Sequence, residues 1–276
     1  MATSDGHVRR GGARQGVKSM LLTTDNLSRW FGGVAALNSV TLSIAPNLVF
    51  GIIGPNGAGK TTLFNVITGI VPPTEGDVRL GGQSLLGLRT DQVTRRGIAR
   101  TFQTIRLFKS LTVLENAMVG AICQARSSHL ARYVGTPPAR AEHRRLEDQA
   151  LASLAFVGLE KLSNARADEL PYGHQRRLEI ARALATGPTL LLLDEPAAGM
   201  NPHEAEELMQ LLRRTLDTGI TLVVIDHNMN VVMGICDRIA VLDYGQKIAE
   251  GTPGEIQRDQ RVIDAYLGVD HVDVAS

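Results

Sequence analysis

The sequence predicts an α/β fold: a parallel core sheet, a small N-terminal antiparallel β layer and an inserted helical subdomain. Three observations carry this. First, the runs at 48–53, 190–193 and 220–225 are short, aliphatic and almost continuously apolar, as strands covered on both faces must be. A further run lies at 238–242, and helical patterns between the runs imply crossover units. Second, shorter runs at 21–27, 39–44 and 77–80, joined by turns, suit a separate antiparallel layer. Third, strand signals vanish from about residue 104 to 170, replaced by charged, Ala- and Leu-rich stretches. Thr136-Pro137-Pro138 reads as a break in them, with helix resuming over 142–159.

Bulk properties narrow the options. The 276 residues suffice for one large domain with a minor subdomain. Lys plus Arg number 29 against 28 acids, and aromatics are 4%. Near-neutrality gives no general attraction to a phosphate backbone, and few rings leave no base-stacking platform, so nucleic acid is not an expected partner. Cys123 and Cys236 have no motif spacing, which suits a reducing compartment rather than a disulfide framework. Residues 1–19 carry Arg9, Arg10, Arg14 and Lys18 against Asp5, without an apolar stretch, and read as a disordered tail. The ordered domain is expected over 20–268, its helical subdomain over about 104–180, and a flexible end over 269–276. Nowhere is there an apolar run long enough to span a bilayer.

The chemistry starts at Gly54-Pro55-Asn56-Gly57-Ala58-Gly59-Lys60-Thr61, directly after the first aliphatic strand. A helix is expected from Lys60 to about Thr68, stopped by Gly69 and Pro72-Pro73. Strand, Gly-rich turn, helix is the context a phosphate-binding loop requires, and it marks a P-loop NTPase. Gly57 and Gly59 let the backbone curl its N–H groups inward. The helix N-terminus adds partial positive charge. Lys60 brings a full charge to the β/γ-phosphates of a nucleotide, Thr61 a hydroxyl for Mg²⁺, and Thr62 continues the ligand-facing turn.

A second acidic site ends the Leu190–Leu193 run. Asp194 is suited to hold Mg²⁺, and Glu195 to polarise an attacking water. Asn201 reads as a helix N-cap, with Pro202 first and Glu204 third in the helix. His227 follows the 220–225 strand on the ligand side of such a sheet, in reach of a γ-phosphate. Gln103, in Arg100-Thr101-Phe102-Gln103, sits where sheet gives way to helix, and its amide oxygen is a further candidate Mg²⁺ ligand.

This order of motifs resembles the ATP-binding cassette family of transport ATPases. Residues 170–184, beginning Leu170-Pro171-Tyr172-Gly173-His174-Gln175, look like the family's signature loop and its helix, with Leu178, Ala181, Leu184 and Ala185 packing one face on the core. Against the family's Leu-Ser-Gly-Gly-Gln, the chain is read as keeping Leu170, Gly173 and Gln175, with Pro171 for Ser and Tyr172 for Gly. Asn201 stands where the family carries Asp. Phe31 matches the family's adenine-stacking aromatic. Tyr172, the 197–202 loop, the 100–108 segment and the 250–268 ending are similar to branched-chain amino acid importer ATPases. The resemblance implies a peripheral ATPase on the cytoplasmic face of the membrane. Its partners are a second cassette, identical or paralogous, and transmembrane permease subunits. It also implies ATP held between the phosphate loop of one chain and the signature loop of the other. A lipopolysaccharide-type exporter cassette and a soluble non-transport cassette ATPase stay open as alternatives.

Overall fold

The computed structural model describes residues 20–128, 133–134 and 136–267; the expected tail over 1–19 and flexible end over 269–276 lie outside them. The chain opens with strands β1 (Leu22–Phe31), β2 (Val34–Ile44) and β3 (Val49–Ile53), then helix α1 (Lys60–Ile67). β4 (Glu75–Leu80), β5 (Gln83–Ser84), α2 (Thr90–Arg95) and β6 (Ile98–Arg100) follow. The helical stretch holds α3 (Val113–Ile122), α4 (Pro137–Val157) and α5 (Tyr172–Leu184). Then come β7 (Leu190–Asp194), α6 (Pro202–Asp217), β8 (Thr221–Ile225), α7 (Met229–Ile235), β9 (Arg238–Asp243) and β10 (Gln246–Gly251). Two short helices, α8 (Pro253–Ile256) and α9 (Gln260–Leu267), close the described chain.

Two sheets result. The small one runs β2-β1-β4-β5, with β1 antiparallel to both β2 and β4. The large one runs β10-β9-β3-β8-β7-β6, parallel from β9 to β6. Its edges were not foreseen: β6 has only three residues, and β10 is a polar strand antiparallel to β9.

β7 shows why the core strands read as unbroken apolar runs. Leu190 and Leu192 enter the cluster formed with α1 and the antiparallel layer, among Phe50, Phe64 and Leu37. Leu191 and Leu193 enter the cluster on the opposite face, with Leu178 of α5 and Leu208 of α6. Period-2 alternation therefore buries every side chain, each worth about 1.5–3 kcal/mol.

Helices α3, α4 and α5 pack on one another beside this sheet. Gly120 of α3 allows the closest approach: a Cβ there would stand 2.0 Å from the Arg182 carbonyl oxygen. Two expectations need correction. Thr136-Pro137-Pro138 starts the next helix sooner than expected, at Pro137 rather than Glu142: Thr136 is the N-cap and the prolines occupy the first turn, where no N–H partner is required. Helix α5 buries more than one face, since Arg176, Glu179, Ile180 and Ala183 are enclosed along with Leu178 and Ala181. Among the described residues, no helix is long and apolar enough to cross a membrane.

Candidate functional site

Strand β3 delivers the chain into the 54–59 turn, and α1 starts at Lys60 with Gly59 as its N-cap at φ 97°. Two glycines are required by close backbone packing. A Cβ on Gly54 (φ 148°) would lie 2.0 Å from the Leu242 carbonyl oxygen, and one on Gly59 2.3 Å from that of Ala36. Gly57 (φ 81°) has open space around it, so its need is conformational. Ala58 is buried, Pro55 half-buried, and Asn56 and Gly57 exposed. The Lys60 ammonium donates to the carbonyl oxygens of Gly54 (2.7 Å) and Pro55 (2.8 Å). Partial burial lowers its pKa, while the nearby carboxylates of Glu195 and Asp194 act to raise it. Thr61 is exposed and Thr62 half-buried on the first turn of α1.

The C-terminal ends of β7 and β8 bring the acidic residues to this loop. Asp194 is buried, and its Oδ2 pairs with Arg100 Nη2 at 2.8 Å. Arg100 also donates to Asn65 Oδ1 of α1 (2.7 Å) and lies near the rings of Phe64 and Phe102. Glu195 turns out of the strand with φ 46°, its N–H anchored on the Ile225 carbonyl at 2.8 Å. The turn hands its two oxygens to different partners. Gln103 Nε2 donates to Oε2 at 2.9 Å, and His227 Nδ1 stands 3.6 Å from Oε1. Asp226, one residue before His227, is buried with Oδ2 unpaired; desolvation raises its pKa. Thr61, Asp194 and Gln103 offer hydroxyl, carboxylate and amide oxygens, a donor set suited to a small hard cation that keeps much of its water.

Residues 170–175 form a separate surface at the start of α5. Pro171 is the N-cap, so Tyr172 and Gly173 hold two of the helix's free N–H positions. The Tyr172 hydroxyl donates to the Ala198 carbonyl oxygen at 2.8 Å. Gly173 is buried against Glu204, which with Asn201 forms the expected capping box of α6. One reading is corrected here. Counted from Leu170, the fifth place of the signature pattern is His174, half-buried, and not Gln175. Gln175 instead folds back, its Nε2 donating to the Leu170 carbonyl at 2.8 Å. Among the described residues, no hydrogen bond or ion pair joins 170–175 to the phosphate loop of the same chain.

Phe31 ends β1 at the tip of its hairpin, nearly half exposed, with the Arg29 guanidinium 4.6 Å from the ring centre. Arg29 thus covers one side of the ring, and the remainder of Phe31 is open to solvent. The structure draws together the phosphate loop, Gln103, Asp194, Glu195 and His227. It adds residues the sequence reading passed over: Asn65, Arg100, Arg176 and Glu179.

This architecture has counterparts. A family model described as ABC transporter matches residues 37–198. A second, described as Branched-chain amino acid ATP-binding cassette transporter, matches residues 246–272. The high-affinity branched-chain amino acid transport ATP-binding protein LivG of Escherichia coli K12 is 44% identical over 249 residues, covering 90% of this chain and 98% of LivG. The chain belongs to the ABC transporter ATPase family. Another cassette, BraF of Pseudomonas aeruginosa, described by the same function, is 43% identical over the same shares. The lipopolysaccharide export system ATP-binding protein LptB of Escherichia coli K12 is 34% identical. Among solved structures, the ADP conformation of an ABC transporter cassette superposes with TM-score 0.79 at 34% identity, covering 90% of this chain and 99% of that one. A dimeric bacterial cassette gives TM-score 0.71 at 30% identity, covering 84% and 99%.

Proposed function

We propose that this cassette binds and hydrolyses ATP to drive an importer of branched-chain amino acids. One observation carries the hydrolytic reading: Glu195 is held by Gln103 and by proximity to His227, on a strand end whose charge reaches Lys60 of the phosphate loop. Glu195 would accept a proton from water attacking the γ-phosphate, and His227 would hydrogen-bond that phosphate. Lys60 would leave its two carbonyl partners for the β/γ-phosphates, with the loop N–H groups of residues 54–61 around them. Phe31 would stack on adenine. Mg²⁺, held by Thr61, Gln103 and Asp194, would neutralise phosphate charge.

The signature surface at Pro171, Tyr172, Gly173, His174 and Gln175 would serve the ATP of a second cassette, identical or paralogous. The solved dimer of a similar cassette supports that pairing. Permease subunits would hold the pair at the cytoplasmic face of the membrane. The solute rests on the match over residues 246–272 and on LivG and BraF; the lower identity to LptB ranks export below import.

Two measurements test this. Glu195→Gln should retain ATP binding while hydrolysis falls about 100-fold or more; an unchanged turnover removes Glu195 from its role. In the complex with permease subunits and a solute-binding protein, leucine, isoleucine or valine should stimulate ATPase activity. No response to any of them overturns the solute and leaves the ATPase untouched.

A further inference from the structure

Arg176 is the largest side chain fully enclosed in the described structure. Its Nη1 donates to the Phe102 carbonyl oxygen (2.7 Å) and to Glu179 Oε2 (2.8 Å), and its Nη2 donates to the Gln103 carbonyl oxygen (2.9 Å). The second oxygen of Glu179 accepts the Phe102 N–H at 3.3 Å and the Arg106 N–H at 3.5 Å, with Arg182 Nη2 4.0 Å away. The pair therefore grips Phe102 by both its carbonyl and its N–H, and Gln103 by its carbonyl. It is enclosed on all sides, with side-chain exposures of 0% and 1%.

A pair buried this deeply is a poor device for stability alone. Apolar residues of similar volume in its place commonly fold as well or better, whereas losing one partner strands a charge. What the pair supplies here is position. Arg176 lies within the first two turns of α5, the helix that presents Pro171 to Gln175. The residue it holds, Gln103, uses its side chain on Glu195. Backbone on one side and side chain on the other make Gln103 the joint between the hydrolytic carboxylate and the signature helix.

We propose that Arg176, with Glu179, is a positioning residue that couples Gln103 at a cassette's own ATP site to the signature loop it offers to the partner's ATP. The inference rests on the hydrolytic reading above. A displacement of Gln103 when Glu195 changes its hydrogen bonding shifts the carbonyls Arg176 holds, and the rigid helix carries that shift to Tyr172 and Gly173. Lysine cannot replace the arginine: one ammonium lacks the planar fork that spans two carbonyls and a carboxylate together.

The test is a double-mutant cycle on the purified full chain, reading kcat and KM for ATP together with the thermal unfolding midpoint. Arg176→Lys should lower kcat by about 2- to 30-fold with KM unchanged, the range expected for residues along a coupling network. Gln103→Ala should lower kcat too, and Arg176→Lys/Gln103→Ala should match Gln103→Ala alone, because the arginine acts only through that residue. Penalties that multiply, or an Arg176→Lys variant with unaltered kcat, overturn the proposal. Should Arg176→Lys be unfolded at the assay temperature, Arg176→Met/Glu179→Leu takes its place in the cycle with the same expectations. An unmutated chain that hydrolyses no ATP removes the hydrolytic reading and this inference with it. Hydrolysis with multiplying penalties removes the inference only.

Discussion

The phosphate loop and the signature loop both end at a helix N-terminus, yet they are held in place by opposite means. Around the phosphate loop, backbone presses on backbone: Gly54 against the Leu242 carbonyl and Gly59 against that of Ala36. Neither neighbour can step aside without moving a strand. Around the signature loop the contacts are made by side chains: Tyr172 on Ala198, Gln175 on Leu170, Glu204 against Gly173. Side chains have rotamers to spare. The phosphate loop is thus fixed by the main chain around it, and the loop at 170–175 by side chains that can rotate.

If that contrast is right, equally small substitutions should have unequal effects. Gly54→Ala should be the most damaging, because its Cβ meets a backbone oxygen and its φ suits glycine. We expect a loss of about 3 kcal/mol or more in urea unfolding, and a penalty under about 1 kcal/mol would break the comparison. Tyr172→Phe removes one half-exposed hydrogen bond and leaves the ring in place. Its expected cost is about 0.5–1 kcal/mol by the same assay, and a loss equal to that of Gly54→Ala would place the signature loop in the rigid class. Gly173→Ala should matter least. Its Cβ would approach the Glu204 carboxylate at 2.9 Å, a flexible end that can rotate away. The resulting strain on the capping box is offset by the better helix propensity of alanine, so unfolding should change by less than about 0.5 kcal/mol in either direction. A loss as large as that of Gly54→Ala would show that Glu204 is fixed.

The same contrast explains what the sequence made legible. The strands of the large sheet could be found because β3, β7 and β8 are apolar at consecutive positions, and the phosphate loop because its residues are contiguous. Asn201, Pro202 and Glu204 announced a helix start by local spacing alone. The polar edge strand β10 and the three-residue β6 carry no such run. Pro137-Pro138 fits the first turn of a helix as well as a break, and the helix expected from 142 begins at Pro137. Least visible were the long-range pairs. Arg100 and Asp194 are 94 residues apart, and Arg176 belongs to a Gln-Arg-Arg-Leu-Glu stretch that reads as a solvated helix surface. Nothing local distinguishes the enclosed Arg176 from Arg177, its half-buried neighbour, which pairs with Glu207 near the surface. Gln103 and His227 were found from their places at element boundaries, but their meeting on Glu195 needed the sheet order.

Glu195 itself sits at φ 46°, in the left-handed region that L-residues other than Asn and Asp seldom enter. That conformation costs on the order of 1–2 kcal/mol per residue, and the loss falls at the end of one of the most deeply enclosed strands in the molecule. A chain selected for stability alone would carry asparagine or glycine here. Under the proposed function this is a stability–activity trade-off confined to one backbone angle: the kink that destabilises the fold slightly also accompanies the meeting of the carboxylate with Gln103 and His227.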